Sequence, residues 1–133
     1  MSIPVPIERL LLEVETRGES AYLLTVSDDG RPHAVHVPVR WQENKLAVEA
    51  GKRSAANAAA RPAVSLLYTM REPGDYSLII DGTAVISAGT TGPVLLITPT
   101  AAVLHRPAKV PDPSSACGAD CVPLLSPQDA KND

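Results

Sequence analysis

Residues 21–41 read AYLLTVSDDGRPHAVHVPVRW, two β-prone runs joined across Asp29-Gly30. An Asp-Gly pair between such runs is a hairpin signal, because both residues tolerate the positive φ that tight strand connections need. Strands are expected over about 21–27 and 32–41. The second alternates, with Val35, Val37, Val39 and Trp41 on one face and Ala34, His36, Pro38 and Arg40 on the other. Pro38 has no N–H to give to a ladder, so it requires a local edge or a bulge.

More β-rich runs follow at short spacing: KLAVEA, AVSLLYT, SLIIDGTAVISAG and PVLLITPTAAVL. Within the third, Asp81-Gly82 interrupts the pattern as a tight turn or bulge would. Upstream, Ile7, Leu10, Leu11 and Val14 share one helical face, and Pro6, Glu8, Arg17 and Gly18 suit the ends of a helix over about 6–17. A second, short helix is expected from Ala55 to Ala60, stopped by Arg61-Pro62. About six closely spaced strands with one short helix between the third and fourth predict a mainly β fold, an antiparallel barrel covered on one side by the N-terminal helix.

The chain of 133 residues suffices for one domain with a real core. That core must be aliphatic, since aromatics are 3 % of the residues and Phe is absent. Five of the 13 prolines fall after residue 106. The domain is thus expected over 1–106 and a Pro-rich tail over 107–133, wrapping a surface or disordered for want of an apolar period.

The net charge of −3 provides no sequence-wide basic field, and few aromatics are present to stack on bases, so nucleic-acid binding is disfavoured. Glu8 and Arg9 interrupt the first apolar run, unlike a signal peptide, and the longest apolar stretch is too short to span a bilayer. A cytoplasmic protein without a membrane partner is expected. Two cysteines, Cys117 and Cys121, are too few to staple the chain, which fits a reducing compartment. They read as tail thiols or a local disulfide formed on oxidation, not as a metal site.

The segment VEAGKRSAANAAARP places Lys52, Arg53 and Ser54 where a strand ends and a helix begins. A helix N-terminus exposes unpaired N–H groups and a partial positive charge, which together attract a phosphate. Lys and Arg there would add charge-assisted hydrogen bonds of about 1.5–3 kcal/mol each. The Ser54 hydroxyl would cap the helix or donate to the anion. The competing reading is a capped helix with two solvated cations. Against it, cations in the first turn oppose the helix dipole by about 0.3–1 kcal/mol unless an anion is present. Micromolar affinity needs about 8 kcal/mol, so a phosphate clamp must be joined by an apolar slot for the ligand body.

His33 and His36 sit on opposite faces of one strand, an awkward arrangement for joint metal ligation, and no metal site is expected. His36, beside Arg40 on the polar face, could line a pocket. No nucleophile elbow, phosphate loop or dinucleotide fingerprint is present, and no catalytic residue is assigned.

YLLTVSDDGRPHAVHVPVRWQENKLAVEAGKRSAANAAARPAVSLLY, followed by YSLIIDGTAVI, resembles the flavin-binding split-barrel family of pyridoxamine-phosphate-oxidase-like and deazaflavin-dependent oxidoreductases. The resemblance covers about residues 7–104. It implies a six-stranded antiparallel split β-barrel, a homodimer, and cofactor sites at the dimer interface. It further implies that the strand from His36 through Val37, Pro38 and Val39 to Trp41 lies along the flavin. The turn bearing Lys52, Arg53, Ser54 and Asn57 would hold the cofactor phosphate. The function so implied is hydride transfer between FMN, or the deazaflavin coenzyme F(420), and a small organic substrate. The alternative is a non-enzymatic carrier or sensor of flavin or haem on the same barrel.

Overall fold

The computed structural model describes residues 2–107. Cys117, Cys121 and all but the first residue of the predicted tail lie outside the described residues.

The chain runs β1 (Ser2–Pro4), α1 (Ile7–Glu15), β2 (Ser20–Val26), β3 (Pro32–Gln42), β4 (Lys45–Glu49), α2 (Lys52–Ala60), β5 (Ala63–Tyr68), β6 (Ser77–Ala88) and β7 (Pro93–His105). All strand pairs are antiparallel. The order β7-β4-β3-β2-β5-β6 closes through a β6–β7 ladder, giving a six-stranded barrel as predicted. The addition is β1, three residues between Met1 and Val5 that pair with the end of β7 through Ile3 and Leu104. So short a segment carries no period that a sequence reading could detect.

Local chemistry sets the connections. The β2–β3 loop is a turn in which the Gly30 N–H donates to the Ser27 carbonyl at 2.9 Å, with Gly30 at φ 81°. The Asp29 carboxylate accepts from the Ser27 hydroxyl and from the Arg31 N–H. Those bonds, the Ser27 one foremost, hold the Asp29 carboxyl below its ordinary range. Between β3 and β4, Glu43 and Asn44 both adopt positive φ, the geometry that matches strand twist in a two-residue turn.

Long β3 changes partner along its length. It pairs with β2 from Pro32 to Pro38 and with β4 from Val39 to Gln42. Pro38 sits at the hand-over, facing no β4 residue, so its missing N–H leaves no ladder bond unmade. At Asp81/Gly82 the β6–β7 register shifts, the bulge that the sequence suggested.

The core is the aliphatic interior of the barrel, with Leu23, Leu46, Val48, Leu66, Leu78, Ile80 and Leu95 essentially inaccessible. Helix α1 ends at Glu15, short of the predicted Arg17, and buries only Leu10 and Val14 of its apolar face. Ile7 and Leu11, expected to be buried, are 45 % and 37 % exposed. One i, i+4 row of the helix meets the barrel, and the neighbouring row faces outward. Among the described residues no helix is long and apolar enough to cross a membrane.

Candidate functional site

Strand β4 ends at Glu49, one residue past the Val39–Val48 pair. The chain therefore passes from beside the middle of β3 through Ala50 and Gly51 into α2. The helix begins at Lys52, three residues before the predicted Ala55, and its N-cap is Gly51, extended and without a side-chain cap bond. Ser54 is thus not the cap. It occupies the third helical position and is buried, while glycine at the cap costs only a few tenths of a kcal/mol relative to a polar cap.

This geometry separates the basic residues. Lys52 and Arg53 are exposed in the first turn, which contains no acidic side chain, and neither has an ion-pair partner among the described residues. At the other end of α2, Arg61 is committed to structure. Its Nε donates to the Val26 carbonyl at 2.7 Å and its Nη2 to Asp28 at 2.8 Å, fastening the helix to the β2–β3 hairpin. Two uncommitted cations at an uncapped N-terminus leave local positive potential unbalanced, and an anion there would relieve it.

Asn57 faces inward. It is buried, and its Nδ2 donates to the Thr25 hydroxyl of β2 at 3.1 Å. Of the β3 residues, Val37 and Val39 point into the core, whereas His36 and Pro38 are exposed. Side chains from His36, Pro38, Lys52 and Arg53 thus reach the outside of the barrel, while those of Val37, Val39, Ser54 and Asn57 build its inside.

Sequence reasoning missed Tyr22. The register Tyr22–His36 stacks the two rings on the outer face, centroids 4.9 Å apart and planes tilted by 44°. The pair lies seven steps either side of Asp29, whereas a register centred on a two-residue Asp29-Gly30 turn puts Val37 opposite Tyr22, so the turn alone would have named the wrong partner. His33 lies on the opposite face from His36, as expected, and its Nδ1 is buried without a hydrogen-bond partner among the described residues.

A closed six-stranded antiparallel barrel with one added strand and two helices is the split-barrel fold. Solved structures of that fold match. A candidate pyridoxamine 5′-phosphate oxidase of Listeria innocua superposes with a TM-score of 0.62 at 19 % identity, covering 74 % of this chain and 98 % of its own. An F420 reductase gives 0.55 at 21 %, over 63 % and 88 %. HutZ, the haem storage protein of Vibrio cholerae, gives 0.57 at 15 %, over 72 % and 92 %. At these identities the likeness is one of fold. In sequence, the chain is 36 % identical to Uncharacterized protein Mb0449c of Mycobacterium bovis and to MT0457 of Mycobacterium tuberculosis, covering 80 % of this chain and 86 % of theirs. The chain belongs to the same family as these two mycobacterial proteins. No family model matches it.

Proposed function

We propose that the chain is a flavin- or deazaflavin-dependent oxidoreductase, acting as a homodimer on a small organic substrate. The observation that carries this reading is the pair Lys52 and Arg53, exposed on the uncapped N-terminus of α2 and without ion-pair partners among the described residues. Their ammonium and guanidinium groups would hold the cofactor phosphate, together with the free N–H groups of the first helical turn. His36 and Pro38 would border the ring system from β3, and Val37 and Val39 would contribute through backbone only. Ser54 and Asn57 would act one step back, fixing the helix against the barrel. A bound flavin or deazaflavin supplies hydride transfer. The chain binds and orients it, and a second copy would complete the apolar slot that keeps water from the ring. Tyr22, a large aromatic side chain exposed on the outer sheet, suits such a covered surface.

The test is a visible spectrum of the freshly purified protein, followed by fluorescence titration with FMN and with coenzyme F(420). Micromolar binding of either supports the reading, and oxidation of the reduced cofactor by an added acceptor supports the enzyme. A colourless protein that binds neither at tens of micromolar refutes both.

A second reading, a haem carrier on the same barrel, is favoured by the exposed imidazole of His36 together with the likeness in fold to HutZ. Titration with haemin separates the two: a Soret band lost in His36→Ala, with no affinity for either flavin, selects the carrier.

A further inference from the structure

Leu24, Ser65 and Asp81 form one outward row across β2, β5 and β6. Beyond this row the β2–β5 ladder stops. Strand β2 continues beside β3 to the Val26–Pro32 pair, and β5 continues beside β6 to Ala63–Thr83. The two strands separate, and between them opens a groove of ≈ 490 Å³ whose lining reaches inward to Thr25 and Val64. Its far wall is shaped by the bulge. Asp81 pairs with Ala101 and Gly82 with Pro99, so Thr100 is the extra residue, and its hydroxyl donates to the Asp81 carbonyl at 3.2 Å. Bulges of this kind commonly re-aim side chains next to binding sites.

Asp81 is the one ionisable side chain among the described residues that line the groove. Its Oδ1 accepts from the Ser65 hydroxyl at 2.7 Å, which fixes the carboxylate, and it has no ion-pair partner among the described residues. Thr83 and Thr100 add hydroxyls nearby, while Leu24, Val26 and Ala63 offer an apolar bed. Lys52 and Arg53 do not line this groove, so what it binds is independent of the cofactor reading.

We propose that this groove binds a small amphipathic ammonium compound, its cation on the Asp81 carboxylate and its hydrocarbon body on Leu24, Val26 and Ala63. The volume falls within the range of small-molecule sites, about 300–1,000 Å³. Charge complementarity selects the class: an anion would meet an unpaired carboxylate, and a neutral ligand would forgo the charge-assisted bond.

The experiment is an amide NMR titration of the full chain with phenethylamine, and with 2-phenylethanol as its neutral counterpart. The amine is expected to shift the Ser65, Asp81 and Thr83 amides saturably and to bind about fivefold more tightly than the alcohol. Asp81→Asn is expected to abolish that difference while leaving the alcohol's affinity unchanged. Equal affinities in the unsubstituted protein overturn the proposal, as does the absence of shifts at these amides up to about 10 mM amine. Shifts that follow protein dilution rather than amine concentration also overturn it, since they would mean that a second copy covers the groove. The comparison of amine with alcohol is made on the unsubstituted chain, so it decides even if Asp81→Asn fails to fold.

Discussion

The Asn57 amide of α2 donates to the Thr25 hydroxyl of β2 at 3.1 Å, and both side chains are buried. This bond anchors the helix that presents Lys52 and Arg53. Removing one partner strands the other in a low-dielectric interior, which costs about 1–3 kcal/mol. Asn57→Leu is therefore expected to lower unfolding free energy by that amount, measured by urea denaturation. Combining it with Thr25→Val should recover part of the loss, because neither polar group is then left unmatched.

Lys52→Ala and Arg53→Ala should behave differently. Both side chains are exposed and neither forms an ion pair among the described residues, so the apparent melting temperature should stay constant or rise slightly as the clash with the helix dipole is relieved. Flavin or deazaflavin affinity should fall by about 1.5–3 kcal/mol for each substitution. Added salt should weaken binding to the unsubstituted protein more than to the variants. Unchanged affinity in both variants would mean that the two cations are only solvated.

What the sequence revealed was what is local. Asp29-Gly30, the alternation of Val35, Val37 and Val39, and the strand runs after Gln42 each encode geometry within a few residues, and those strands were legible. The barrel closure through β6 and β7 joins segments whose pattern says only that they are strands. The Ser54 cap failed because a glycine one step before the helix serves that position nearly as well, freeing the serine to turn inward. Asn57 was legible as a polar residue in an alanine-rich helix, but its partner Thr25 lies 32 positions away and only the tertiary fold joins them. Likewise Ile7 and Leu11 carry the apolar spacing of a buried face, yet the barrel surface accommodates just one helical row.

Tyr68 gives a prediction in alkaline solution. Its ring is buried at 2 % exposure and its hydroxyl has no hydrogen-bond partner among the described residues, and burial pushes the phenol from 10.0 up to about 12. The folded state then holds its proton at pH values where the unfolded chain has released it. Stability is expected to be intact below about pH 10 and to decline as pH rises from there toward 12. Tyr68→Phe removes both the unmatched hydroxyl and this ionisation. The variant should be at least as stable as the parent at neutral pH and should lose less stability between pH 9 and 11, followed by urea midpoints across that range.

Gly82 is the most demanding position in the barrel wall. A Cβ built there would lie 2.6 Å from Ile97 Cγ2 and 2.7 Å from the Thr98 carbonyl oxygen. The isoleucine can rotate, but the carbonyl belongs to the strand opposite and moves only if the β6–β7 bulge opens. Gly82→Ala should therefore destabilise the protein by about 1–3 kcal/mol, the usual cost of overpacking, or more where the bulge cannot relax. Gly18→Ala is the control. It has open space around the new methyl but a φ of 99°, so its cost should be limited to backbone strain, about 1–2 kcal/mol. The two variants should also differ in where they act. Gly82→Ala should raise hydrogen exchange along both β6 and β7, whereas Gly18→Ala should confine it to the end of α1. Similar exchange patterns in the two would show that the bulge absorbs a methyl group without opening.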